Sequence, residues 1–313
     1  MPASPSPLPQ SAIVARLRAA GCVFAEDEAR LLLAAARTPA GLAAMVDQRA
    51  AGQPLEHVLG WAEFCGLRMA VDPGVFVPRR RTEFLVRQAA ALARQSADPA
   101  DPADPVGPGG QAPGRARLVV VDLCCGSGAV GAALAATLGQ VELHAVDIDP
   151  AAVRCARRNV AAAGGQVYEG DLCAPLPAAL RGRVDILVAN APYVPTEEVG
   201  MLPPEARLHE PRVALDGGAD GLDILRRVTA AAPRWLAPGG HLLFETSERQ
   251  APQAVAAVTR SGLIPHVASS GRLNATVVAG ARPLPRAGQA ASPPFASRPG
   301  RPAAQSSPSG SDS

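Results

Sequence analysis

The run Val184-Asp-Ile-Leu-Val-Ala189 constrains this chain more than any other stretch. Five of the seven positions up to Asn190 are apolar, without the strict alternation of a strand that has one wet face. Such a strand is buried on both sides, so it needs a sheet with helices packed above and below it. The run then stops. Asn190 is polar, and Pro192 has no backbone N–H with which to continue a ladder. A side-chain amide is therefore delivered at the C-terminal end of a central strand, where open α/β sheets bind ligands. Pro192 stiffens the turn, and Tyr193 sets a flat ring beside the amide. Asn-x-Pro-Tyr at a strand end suits gripping a planar NH2 group and facing it toward an electrophile.

The rest of the chain supplies the layers. Strands are expected at Leu118–Asp122, Val141–Asp147, Gln166–Glu169 and Gly240–Glu245. Helices fall at Gly128–Leu138, Pro150–Ala163, Gly221–Trp235 and Glu248–Ser261. This alternation predicts a mostly parallel, doubly wound α/β sheet. Two last strands, Ile264–Ala268 and Ala275–Ala279, are joined by a short polar turn and must be antiparallel, because a parallel pair needs a crossover. A parallel sheet ending in an antiparallel hairpin is the layout of methyltransferases that use a nucleoside methyl donor.

Before the sheet, residues 11–52 carry helical periodicity, with Ile13, Leu17, Leu32, Leu42 and Val46, and Thr38-Pro39 marks a helix start. Residues 53–94 form a connecting region. Phe64–Val71 and Val75–Val77 flank Asp72-Pro-Gly74, which predicts a hairpin across that turn, and a helix follows from about Thr82, a plausible cap, to Arg94. Residues 1–10, the Pro/Asp/Gly-rich insertion 95–117 and the Pro/Ser-rich tail 281–313 cannot bury a core and are expected to be disordered. The catalytic domain is then 118–280.

Composition removes several function classes. The 313 residues carry a net charge of +2, so nothing pulls strongly toward nucleic acid or an anionic membrane. Every basic residue is Arg and none is Lys, which fits biased genomic base composition rather than mechanism. No apolar run approaches the ~20 residues of a membrane span. Met1–Gln10 lacks the charged and apolar regions of a signal peptide. Cys22, Cys65, Cys124, Cys125, Cys155 and Cys173 have no C-x-x-C spacing and are expected to be free thiols in a cytoplasmic protein. The five histidines are dispersed without ligand spacing, so no metal site is expected.

Two motifs carry chemistry. In Val121-Asp-Leu-Cys-Cys-Gly-Ser-Gly-Ala-Val-Gly131, Gly126, Gly128 and Gly131 match G-x-G-x-x-G in a strand-turn-helix setting, with Asp147 about 20 residues on. A dinucleotide site places pyrophosphate on the helix N-terminus directly after the strand. Here Asp122 ends the strand, and a carboxylate opposes a pyrophosphate. It suits a ligand with an ammonium and a sulfonium, namely S-adenosylmethionine. Asp147 can hold both ribose hydroxyls, Asp171 can accept from the adenine amine, and Leu172 can pack on the ring. Asp149, before Pro150, is a helix cap. In the second motif, Asn190-Ala-Pro-Tyr193, the Asn190 side-chain oxygen and the Ala191 carbonyl can hold both protons of an NH2, aiming its lone pair at a methyl group. The gain is mostly orientation, and no base is needed before attack. A plain Asn-Pro turn is the bland alternative.

With these residues in view, the chain resembles the HemK-like glutamine methyltransferases of peptide chain release factors over roughly 11–94 and 118–280. Gln53–Gly60, Glu63–Arg68, Val77-Pro-Arg-Arg-Arg-Thr-Glu83 and His209-Glu-Pro-Arg-Val-Ala-Leu215 resemble the family's blocks. The resemblance implies methylation of the glutamine of a Gly-Gly-Gln loop, with S-adenosylmethionine as cofactor and the helical domain docking the release factor. It points to Asn190, Ala191, Pro192 and Tyr193 as catalytic, and to Arg79, Glu83 and Glu210 for the substrate. Asp122, Cys124, Gly126, Gly128, Asp147, Asp171, Leu172 and Asn190 would serve the cofactor. Three departures stand out. Ala191 replaces the first proline of Asn-Pro-Pro-Tyr, keeping its carbonyl and losing rigidity. Cys124 replaces a glycine and narrows the methionine end of the pocket. Arg80 and Arg81 replace a proline and an acid. They suggest a divergent paralogue. Two other classes stay open: an adenine-amino methyltransferase, disfavoured by 3% aromatic content and near-neutral charge, and a non-catalytic donor-binding protein. Glu210 and Arg212 are expected to pair over the site, and Glu245 is either a strand-end cap or a site residue.

Overall fold

The computed structural model describes residues 8–97 and 117–285. Most of the insertion and tail, for which disorder was expected, lies outside the described residues. Those up to Pro283 belong to one compact unit.

Three helices, α1 (Gln10–Ala19), α2 (Ala25–Ala35) and α3 (Pro39–Ala50), pack on a core of their own built from Ile13, Leu17, Leu32, Leu42 and Val46. Thr38 caps α3 by accepting from the Gly41 N–H at 3.0 Å, with Pro39 in the first turn. The short α4 (Leu55–Leu59) adds Leu55, Val58 and Leu59 to that core.

The hairpin sits elsewhere than expected. It pairs β1 (Trp61–Phe64) with β2 (Leu67–Ala70), turning at Cys65-Gly66, not at Pro73-Gly74. Both turn residues have positive φ, 50° and 73°, which matches the twist of a two-residue hairpin. Asp72 still closes a turn to the Val75 N–H, but Val71, Val75 and Val77 pack on Ala152 and Cys155 rather than on a partner strand. Next comes α5 (Glu83–Ala97), longer than expected and preceded by a 3-10 turn at Arg80–Thr82. Thr82 makes no cap: its side chain is buried and turned toward the sheet.

The sheet follows: β3 (Leu118–Leu123), α6 (Ala129–Leu138), β4 (Val141–Asp147), α7 (Pro150–Val160), β5 (Gln166–Glu169), β6 (Val184–Ala189), α8 (Pro204–His209), α9 (Asp223–Trp235), β7 (Leu236–Thr246), α10 (Ala251–Arg260), β8 (Ile264–Ser270) and β9 (Ala275–Ala281). The strand order is β5-β4-β3-β6-β7-β9-β8, with β6 in the centre. β9 runs antiparallel to both of its neighbours, and the other pairings are parallel. Helices cover both faces of β6. Leu187 and Ala189 pack with α9 and α10, whereas Ile186 and Val188 pack with α5 and α6. Truncating Leu187 to Ala would cost about 2–5 kcal/mol. The order reverses between β3 and β6, which opens a crevice at their C-terminal ends.

Candidate active site

Register alone assembles the site. Leu123 pairs with Val146 and Ala189, and Ala189 pairs with Phe244. One position further along each strand come Asp147, Cys124, Asn190 and Glu245, side by side along the C-terminal edge.

Two cavities open there and share Phe76, Asn190, Pro192 and Ala214. The first, on the β3 and β4 side, is lined by Asp122, Cys124, Gly126, Asp147, Asp171 and Leu172. Asp122 is buried. Its Oδ2 accepts the Gly131 N–H at 2.8 Å, while Oδ1 has no partner among the described residues. Burial pushes the Asp122 carboxyl up to about 7. Asp147 accepts from the N–H groups of Gly126 (2.7 Å) and Asp149 (2.9 Å), which fixes its carboxylate at the cavity wall. Burial raises its pKa, against the pull of these N–H groups. Asp149 caps α7 as expected. Asp171 reaches the cavity already paired with Arg227, a partner absent from the sequence reading.

The glycines divide their work. Gly126, at φ +54, lines the cavity, and a Cβ there would meet nothing nearer than Phe76 at 4.0 Å. Gly128 faces α7 instead: a Cβ would come within 3.0 Å of Ala156. Cys124 has φ +54, a conformation that favours glycine and costs a side-chain-bearing residue roughly 1 kcal/mol. Its thiol lines the cavity, and burial followed by the charge of Asp147 holds it protonated.

The second cavity, about 350 Å³, is lined by Glu56, Arg79, Arg81, Ala191, Tyr193, Glu205 and Glu210 among others. Glu210 pairs with Arg79 at 2.6 Å and accepts the Val77 N–H at 3.1 Å. The expected Glu210–Arg212 pair does not form, because Arg212 turns to Asp216 and the burial of Glu210 leaves only Arg79 beside it. Glu83 lies away from both cavities and pairs with Arg87. Tyr193 donates its hydroxyl to Glu245 Oε1 at 2.9 Å, and Thr82 donates to Oε2 at 2.7 Å. Arg81 Nε lies 2.9 Å from the same carboxylate. Gln250 donates to the Tyr193 carbonyl at 2.9 Å, and Gly221, at φ +76, approaches that carbonyl so closely that a Cβ would sit 2.2 Å from it. The motif backbone is thereby clamped. The Asn190 side chain and the Ala191 carbonyl, in contrast, have no hydrogen-bond partner among the described residues.

Residues 112–202 match the family model described as Methyltransferase small domain. The chain is 38% identical over 220 residues to a release factor glutamine methyltransferase of Geobacter sulfurreducens, covering 70% of this chain and 69% of that one. It is 38% identical over 240 residues to the one of Mycolicibacterium smegmatis, covering 75% and 78%. It belongs to the release factor glutamine methyltransferase family. It is also 35% identical over 226 residues to a 4-amino-L-phenylalanine/4-methylamino-L-phenylalanine methyltransferase of Streptomyces pristinaespiralis, covering 72% and 71%.

The methyl donor of this methyltransferase is S-adenosylmethionine, and the residues present fit it. The unpartnered Asp122 Oδ1 is a buried carboxyl oxygen that a ligand cation would hold ionised, and Gly126 leaves the floor beside it clear. Thr82, Gln250 and Arg227 escaped sequence reasoning as site members, because each acts through a partner more than 50 residues away, and Glu245 was left between a strand-end cap and a site residue. Only the polarity of Glu245 after Leu242-Leu-Phe244 hinted at a role. No group of His, Cys, Asp or Glu among the described residues could hold a metal ion. No described helix is long and apolar enough to cross a membrane.

Proposed function

We propose that the protein methylates the side-chain amide nitrogen of a protein glutamine, that of the Gly-Gly-Gln loop in peptide chain release factors, and that it does so in the cytoplasm. One observation carries the reading: Asn190 stands where the two cavities meet, with its side-chain amide uncommitted among the described residues. S-adenosylmethionine, when bound, supplies an electrophilic methyl group on a sulfonium. On that side Asp122 receives the ammonium, Asp147 the ribose hydroxyls, and Asp171 with Leu172 the adenine. Cys124 stays a neutral thiol and does not compete as a nucleophile.

On the acceptor side the Asn190 oxygen and the Ala191 carbonyl each accept one N–H of the glutamine NH2. An amide lone pair is delocalised. Holding both protons turns it toward the donor, and the contribution is orientation. The surplus proton leaves after transfer, so no base needs to act first. Pro192 and Tyr193 hold these acceptors in place, the latter through Glu245. Arg79 and Glu210 frame the entry for the protein substrate, and the helical domain at 11–52 is the docking module.

Purified protein with labelled donor tests the reading against intact release factor, its Gln→Ala variant and DNA. Label confined to the intact factor supports it. Label that persists on the Gln→Ala factor overturns it, and label on DNA moves the assignment to adenine. Donor binding without transfer to any acceptor overturns it in favour of a non-catalytic role.

A further inference from the structure

We propose that Arg81 reads a main-chain carbonyl oxygen next to the methylated amide, which makes the acceptor a neutral, internal peptide segment. The proposal rests on the glutamine reading above and deepens it. Arg81 lines the acceptor cavity with its side chain nearly half exposed, 45%. Its Nε faces Glu245 at 2.9 Å, and its guanidinium lies 5.7 Å from the centre of the Tyr193 ring. Glu245 thus orients two cavity walls at once, the ring of the Asn-Ala-Pro-Tyr motif and the guanidinium beside it. The two terminal NH2 groups of Arg81 have no hydrogen-bond acceptor among the described residues. They form a planar fork of donors at the rim of the position where Asn190 grips the amide.

Charge decides what the fork receives. Arg79 is committed to Glu210, Glu205 to Arg49, and Glu56 adds another carboxylate to the same lining. With Arg79–Glu210, Arg49–Glu205 and Arg81–Glu245 each paired, Glu56 is the charge of this lining with no ion pair among the described residues, so an entering anion meets net negative charge. A neutral carbonyl takes the free N–H groups without that repulsion. A free amino acid would bring its carboxylate into this lining, so the geometry disfavours one as acceptor.

The test uses the full-length protein and a peptide with an internal Gly-Gly-Gln. Two analogues replace the carbonyl before or after the glutamine by a methylene, and a third peptide ends in glutamine with a free carboxylate. Affinity is measured by calorimetry and methylation by mass spectrometry. Arg81→Gln is expected to weaken the internal peptide about tenfold, the share of one charge-assisted hydrogen bond, with donor affinity unchanged. One methylene analogue should weaken wild type equally and cost Arg81→Gln nothing further. Arg81→Lys keeps the ion pair with Glu245 but loses the fork, and should match Arg81→Gln, which covers a folding failure of the latter. Unchanged peptide affinity in both variants, multiplying losses, or tighter binding of the carboxylate-ended peptide overturns the proposal. Wild type that binds the internal peptide with this Arg81 dependence and leaves it unmethylated sinks the glutamine reading alone. Wild type that binds none of the peptides overturns both.

Discussion

Two buried carboxylates stand at the C-terminal edge of one sheet, and they are solved in opposite ways. Glu245, near the end of β7, is 2% exposed and is met by the hydroxyls of Tyr193 and Thr82 and by Arg81. Asp122, on β3, is 1% exposed, receives one backbone N–H, and keeps an oxygen with no described partner. Burying a polar atom unpaired costs free energy, so a fold retains one only where something else repays the cost. A satisfied acid holds the architecture; the unsatisfied one is where we propose the donor's cation completes it.

The sharpest way to break this contrast is to remove Glu245. Glu245→Ala leaves the buried Thr82 hydroxyl and the half-buried Tyr193 hydroxyl without their acceptor and should cost about 3 kcal/mol in denaturant unfolding. Its partly exposed pair with Arg81 contributes little of that. Donor affinity should stay within about threefold. Asp122→Asn should do the reverse, weakening the donor about 100-fold by calorimetry while unfolding at an equal or higher denaturant concentration. A donor affinity that survives Asp122→Asn would erase the distinction.

The pH dependence sharpens it further. The folded pKa of Asp122, about 7, lies above its unfolded value, so the native state binds the extra proton. Between about pH 4 and about pH 7 the ligand-free protein should therefore lose stability as pH rises, by up to about 1.4 kcal/mol per unit from this group. A cationic donor needs the ionised form, so its affinity should rise by up to about tenfold per unit over the upper part of the same window. Both slopes should shrink in Asp122→Asn by the share of this one group, leaving the smaller part that the raised Asp147 carboxyl contributes. Smaller effects are expected from the two departures beside these acids. Cys124→Gly relieves a left-handed residue and should stabilise by about 1 kcal/mol while tightening the donor. Ala191→Pro removes no described hydrogen bond and should raise stability by about 0.5 kcal/mol, changing kcat by less than about threefold.

Much of this was legible along the chain. The alternating elements and the position of Asn190 at a strand end follow from apolar patterning and from where it stops, because a doubly buried strand admits few surroundings; the strand order, and with it the switch point, came from the structure. The hairpin was misplaced because Asp-Pro-Gly is a strong turn signal, whereas Cys65 gives no hint of a positive φ. Thr82 looked like a cap because Ser and Thr at a helix start usually are; Glu245 offered a better partner. Glu210 was expected to pair with Arg212 two residues on, yet found Arg79, 131 residues away.

The strand that delivers Asn190, the glycine-bearing turn after β3 and the N-terminal helices follow from local chemistry, since period, caps and missing N–H groups act within a few residues. Which acid pairs with which base, and which buried oxygen is left alone, was decided by tertiary closure. Those outcomes depend on the donors that packing brings within about 3 Å, and no sequence spacing encodes that distance.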